Sequence, residues 1–151
     1  MTGPSVEAQV EGFIAKYSDE VAARMREIRA RLQARLPGAV ELVYDNYNAL
    51  AIGYGGSEKA SEIICSIAAY PRWISLFLSH GATLDDPEGV LKGNGSRMRH
   101  LVLDQPSRLD DPAVAALLDQ AVARSMPIDA TRPGRTVVKS ISAKQRPRRP
   151  D

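Results

Sequence analysis

Residues 40–104 constrain this chain most, because five short apolar runs there are separated by residues that favour turns. The first run is Val40-Glu41-Leu42-Val43-Tyr44. Side chains alternate across a pleat, so Val40, Leu42 and Tyr44 share one face. Asp45-Asn46-Tyr47-Asn48 follows and reads as a tight connection, since Asp and Asn bond their own backbone. The second run, 49–54, ends in the polar, glycine-rich loop Gly55-Gly56-Ser57-Glu58-Lys59. The third, 62–70, is apolar on both faces through Ile63, Ile64, Cys65, Ile67 and Ala68, which predicts a strand covered on both sides. Pro71-Arg72 breaks it. The fourth, 73–79, alternates cleanly: Ile74, Leu76 and Leu78 on one face, Trp73, Ser75, Phe77 and Ser79 on the other. That pattern predicts one core face and one partly open face. The fifth, 98–103, follows Lys92-Gly93-Asn94-Gly95-Ser96-Arg97.

Helical signals flank the sheet. Ser5 is placed to cap a helix carrying Val6, Val10, Phe13, Ile14 and Tyr17 on one side. Ser18 caps a second, with Val21, Met25, Ile28, Leu32 and Leu36 as its stripe and Pro37-Gly38 as its stop. Asp86-Pro87 predicts a short inserted helix, and Asp111-Pro112 a final one with Val114, Leu117, Leu118, Ala121 and Val122 facing inward. The expected fold is α+β: an antiparallel sheet of about five strands, with two N-terminal helices, one short inserted helix and one C-terminal helix packed on it.

The length fits one domain, 1–126, and a tail, 127–151. Pro127, Pro133, Pro147 and Pro150 lie among Arg, Lys and Ser, a composition that predicts a mobile tail; Val137, Val138 and Ile141 could make a brief strand or a contact with the body, while the last ten residues are too charged and proline-rich to bury anything. From Arg132 onward seven Lys or Arg stand against one Asp, +6, so the overall +2 leaves −4 on the body. The pI of 8.8 therefore describes the tail, not a basic face on the domain. No apolar run is long enough to span a membrane, no signal peptide is evident, and the single Cys65 forms no internal disulfide, all of which point to the cytoplasm.

Candidate sites are few. Arg24, Arg26, Arg29, Arg31 and Arg35 line the second helix, and the expected role is a solvated face, the alternative an anionic partner. The acids Asp19, Glu20, Asp85, Asp86, Glu88, Asp110 and Asp111 sit at helix starts, where capping accounts for them without a metal. One cysteine and two histidines make no zinc site, and Cys65, inside an apolar strand, is expected to be inert. No catalytic set, metal site or cofactor is expected. The best candidate ligand site is the loop of Lys92, Asn94, Ser96, Arg97 and Arg99, whose glycines expose backbone N–H groups to an anion, with His80 and Tyr44 lining the same pocket if two corners of the sheet meet; the default expectation is an ordinary glycine turn with solvated basic residues. The tail, through Arg146, Arg148 and Arg149, is the only expected contact with nucleic acid.

The order of these elements resembles the YdhG-like family of small uncharacterised domains. The resemblance covers residues 13–122. It rests on the first strand, on the fourth running into Ser79-His80-Gly81, and on Lys92-Gly93-Asn94-Gly95 before the last strand and a Leu-rich helix. It implies helices packed on an antiparallel sheet. Some members are described as frataxin-like iron chaperones that assist iron–sulfur assembly. The resulting expectation is a non-enzymatic binding domain, monomeric or homodimeric, for a small anionic ligand or a protein held on the open sheet face through Trp73, Phe77 and nearby tyrosines. An iron chaperone is the alternative.

Overall fold

Two serines open the two N-terminal helices. In the computed structural model, which describes residues 3–150, Ser5 accepts the Ala8 N–H at 3.1 Å and starts α1 (Val6–Ile14). Ser18 accepts the Val21 N–H at 3.3 Å and starts α2 (Asp19–Arg35). Gly38, at φ +84°, turns the chain out of α2 in a conformation that other residues rarely adopt. The chain then enters β1 (Val40–Asp45), β2 (Leu50–Gly55), β3 (Ile63–Ala69), β4 (Ile74–Leu78) and β5 (Arg99–Val102), each within a residue of the limits that alternation predicts. After α3 (Pro112–Ala123) comes β6 (Arg135–Ile141). The fold is α+β, with the sheet in the order β5-β4-β3-β2-β1-β6.

One continuous core joins the helices to one face of the sheet. Val10, Ile14, Met25, Ile28, Leu32, Leu117 and Leu118 meet Leu50, Ile52, Ile67, Leu76 and Leu101 there. Ile74, Leu76 and Leu78 are buried as alternation requires, while Trp73 on the other face is 45% exposed. No helix among the described residues is long and apolar enough to cross a membrane.

Several expectations need correction. The sheet has six strands, not five, and is mixed: β6 runs parallel to β1, whereas the other pairs are antiparallel. The sixth strand comes from the segment assigned to a mobile tail, at the Val137, Val138 and Ile141 cluster where a brief strand is one of the two expectations. It is half exposed and edge-placed, so only Val137 and Val138 needed to be apolar. Nor do residues 142–150 stay out of the fold, since Arg148 is buried. The expected inserted helix is a turn. Asp86 does cap, but its carboxylate receives the N–H groups of Val90 and Leu91, both at 2.9 Å, and Gly89 at φ +63° bends the chain away from a helix. Asp111 starts α3 through its backbone carbonyl, without a side-chain cap bond.

The arginine face of α2 is not simply solvated. Arg24 bonds Glu20, Arg26 bonds Glu11 of α1, Arg31 bonds Asp110, and Arg35 bonds Asp119 of α3. Arg29 is buried and grips Glu7 of α1 and Glu41 of β1 together. The exposed pairs contribute little individually. The buried one is different, because a charge without its partner in the interior costs several kcal/mol.

Glu41 and Asp45 occupy the core-facing side of β1, on either side of Val43. Glu41 accepts from Arg29, from Gln33 at 2.9 Å, from the Tyr54 hydroxyl at 2.7 Å and from Thr136 of β6 at 2.7 Å. Asp45 is bonded by Lys16 at 2.7 Å and Arg148 at 2.9 Å. Burial pushes both carboxyls upward, but the donors outweigh it. Arg29, Tyr54 and Thr136 hold Glu41 below its usual 4.5, and Lys16, Gln145 and Arg148 hold Asp45 below its usual 3.8.

Both acids therefore stabilise the fold fully above their ordinary values, and that contribution is lost as pH falls through the lowered ones. Urea unfolding should show it: a midpoint insensitive to these groups from pH 7 to about 5, dropping below about pH 4.5, with a shallower drop in Glu41→Gln. Arg148→Ala should cost about 2–4 kcal/mol, since Lys16 still partners Asp45. Deleting everything after Arg132 should cost more, because β6 and the Thr136 bond go as well. A truncated chain with an unchanged melting temperature would contradict the packing described here.

Candidate functional site

The residues expected to form one anion site do not all come together. Lys92 and His100 pair through their backbones, at 2.7 and 3.0 Å, and close the glycine loop. The Arg99 guanidinium bonds the carbonyls of Gly95 and, at 3.0 Å, Met98, so it braces its own loop. Asn94, Ser96 and Arg97 are exposed. The corner after β4 does meet this loop, because the Ala82 N–H donates to the Arg97 carbonyl at 2.9 Å. His80, however, lines a separate hollow of about 300 Å³ with Glu62 and Arg124. Tyr44 is farther off: β1 lies four strands from β5 in the sheet, about 19 Å away. It also stands at the opposite end, in the row of Ala51, Ala68, Ser75 and Val102.

A better-formed cleft lies at that opposite end. Pro71-Arg72 is the two-residue turn between β3 and β4, closed by a 2.8 Å bond from the Tyr70 N–H to the Trp73 carbonyl. The turn makes Tyr70 and Trp73 a cross-strand pair, and their rings stack at 4.8 Å and 17°. Arg72 sits at its tip.

The C-terminal chain supplies the other wall. Past β6 it wraps the β1–β2 hairpin: Ser142 N–H donates to Asp45 O at 2.9 Å, and Arg146 N–H to Tyr47 O at 2.9 Å. Arg148 turns inward to Asp45, while Arg146 and Arg149 stay outside and line the cleft with Arg72, Tyr70 and Trp73. Its volume is about 560 Å³. Arg72, Arg146 and Arg149 have no carboxylate within ion-pair distance among the described residues. In α2 every arginine has one.

The cleft continues over the open sheet face. A second depression of about 500 Å³ shares Asn48 and Tyr70 with it and is floored by Ala51, Ser66 and Ala68. Tyr47, Phe77 and Met98 form its sides. The floor is low because small residues fall on adjacent strands: Ala51 pairs Ala68, and Ser66 lies between Gly53 and Phe77.

A third hollow, of about 400 Å³, lies between α2 and β6 and reaches Glu41 and Tyr54. Its polar groups are already used. Arg132 bonds the Gly38 and Gly56 carbonyls, Arg135 pairs with Glu58 at 3.2 Å, and Glu41 is enclosed by donors. Burial and the Glu41 charge raise the Tyr54 phenol well above its usual range, opposite to the shift of Glu41. Neither group exchanges a proton near neutrality, as an acid–base pair would have to.

Sequence reasoning identified Trp73 and Phe77 as contact area and Arg146 and Arg149 as tail charges. It missed that they share one cleft, and it missed Arg72. The available signal was an aromatic on each side of a two-residue turn.

Cys65 is buried on the core face, and burial pushes its thiol up to about 12. It should resist a thiol reagent at pH 8 in the native protein and react at once in urea. Rapid native labelling would show that β3 opens.

Comparison with protein-family models, with curated proteins and with solved structures finds no match to this chain.

Proposed function

We propose that this chain is a non-enzymatic binding domain of the YdhG-like kind, and that it holds an anionic ligand in the cleft between the β3–β4 turn and the C-terminal chain. The observation that carries this reading is the grouping of Arg72, Arg146 and Arg149 around the stacked Tyr70–Trp73 pair. Guanidinium groups suit planar or tetrahedral anions because their donors form a rigid fork. An exposed aromatic pair beside them adds a face for a planar group. The glycine loop at 92–97 offers charge but neither a cavity nor an aromatic face, so it ranks second. The iron-chaperone alternative draws no support from the carboxylates. Glu7, Glu11, Glu20, Asp110 and Asp119 are each bonded to an arginine, and no cluster of three His, Cys, Asp or Glu stands together among the described residues.

Trp73 is the sole tryptophan, so its fluorescence reports directly on the cleft. Titration with phosphate, nucleoside triphosphates and phosphorylated sugars should give a saturable change for at least one of them. Arg72→Ala and Arg146→Ala should each weaken it roughly tenfold, the loss of one charge-assisted bond. Unchanged fluorescence with every anion would remove the cleft from consideration.

A further inference from the structure

We propose that the ligand is a single-stranded nucleic acid, lying along the groove that runs from the arginine cleft across the open sheet face. The proposal rests on the cleft reading above and extends it. The two halves of the groove differ in chemistry. Arg72, Arg146 and Arg149 gather at one end, whereas the other half is lined only by uncharged side chains, with Tyr47, Phe77 and Met98 as its sides. A polymer of alternating phosphates and planar bases matches that division: phosphates meet the guanidiniums, and bases meet the rings. Asn46 and Asn48 border the groove and offer amide groups to base edges.

Length argues for a polymer over a mononucleotide. Trp73 and Phe77 point to the same sheet face four residues apart, about 13 Å by strand rise. One base cannot stack on both, so two or more must be present to use them. Tyr47 is 50% exposed and Trp73 is 45% exposed, so both rings are open to contact. The Arg146 guanidinium lies 6.0 Å from the centre of the Tyr47 ring, close enough for one nucleotide to touch a charge and an aromatic together. The groove is shallow and open along its length, as a passing chain needs and an enclosed metabolite does not. An acidic protein segment would use the arginines, but it would leave the neutral aromatic half without matching planar groups.

The test uses the full chain with a fluorescently labelled twelve-residue oligothymidylate, followed by anisotropy, and with thymidine monophosphate, followed by Trp73 fluorescence. The oligomer should bind at least thirtyfold tighter than the monophosphate. Its affinity should fall with a log–log salt slope of about −2, the expectation for three phosphate contacts on a single strand. Phe77→Leu should weaken the oligomer roughly 5- to 100-fold and leave monophosphate binding unchanged, whereas Tyr47→Ala, beside Arg146, should weaken both. The oligomer-to-monophosphate ratio of the unaltered chain keeps the experiment decisive if Phe77→Leu lowers the melting temperature. Equal affinity for oligomer and monophosphate would overturn the polymer proposal and leave the anion cleft standing. Binding of other anions without any oligomer binding would do the same. Silence toward every anion would overturn both.

Discussion

The Glu41–Arg29 pair is the constraint on which the rest of the structure depends. A carboxylate on the core-facing side of a central strand is costly unless it is charged, paired and fully hydrogen-bonded. Arg29 meets that need from α2 and, by gripping Glu7 as well, ties α1 to the same point. Thr136 brings β6 to the oxygen that Arg29 and Gln33 already share. A shift of β6 by one residue would turn Thr136 to the opposite face. The polar bond therefore selects a register that the few apolar residues of β6 specify only weakly. Asp45 repeats the arrangement at the other end of the strand, with Lys16 and Arg148.

These two anchors decide where the C-terminal chain goes, and the candidate cleft follows from that path. The Thr136 bond sets β6 beside β1, and the Arg148–Asp45 bond draws the residues after β6 around the β1–β2 hairpin. Arg146 and Arg149 are then carried to the β3–β4 turn, where Tyr70, Arg72 and Trp73 already stand. Arginine has two separate uses in this protein. Those of α2 are neutralised by carboxylates and brace the helices. Those of the cleft have no carboxylate partner among the described residues: Arg149 Nε donates to the Lys16 carbonyl at 3.3 Å, and the other donors are left to meet solvent, or an anion.

How much of this was legible depends on how local each signal is. The caps at Ser5 and Ser18, the stop at Pro37-Gly38 and the five antiparallel strands are written in neighbouring residues, and each appears within a residue or two. The Asp86-Pro87 signal was read correctly as a cap and wrongly as a helix, because Gly89 diverts the chain within one turn. β6 was legible only as a brief strand or contact at Val137, Val138 and Ile141; its place in the sheet was not, because its partner lies about a hundred residues earlier and a half-exposed parallel edge strand needs little apolar content. Glu41 was assigned no role, since one arginine among five had to be singled out as its partner. The cleft failed for the same reason. Trp73 and Arg146 were each noticed, but nothing local says that residues 73 and 146 are neighbours.

A composition that looks disordered can equally be what a wrapping segment requires. Pro147 and Pro150 donate no backbone N–H, so the chain past β6 cannot extend the sheet as another ladder. It must attach through side chains and isolated backbone bonds, and it does. Gln145 reaches the Asp45 carbonyl at 3.1 Å, and Arg148 reaches the Asn46 carbonyl and the Asp45 carboxylate. A charged side chain adds the reach and the bond strength that help hold such a segment against the entropy of ordering it. The same run, Arg146-Pro147-Arg148-Arg149-Pro150, thus turns one guanidinium inward to fasten the chain and keeps two outward beside Trp73. A sequence rule that assigns Arg- and Pro-rich ends to solvent sees the low hydrophobicity. It does not see that a buried acid, Asp45 of β1, stands ready to receive one of those guanidiniums.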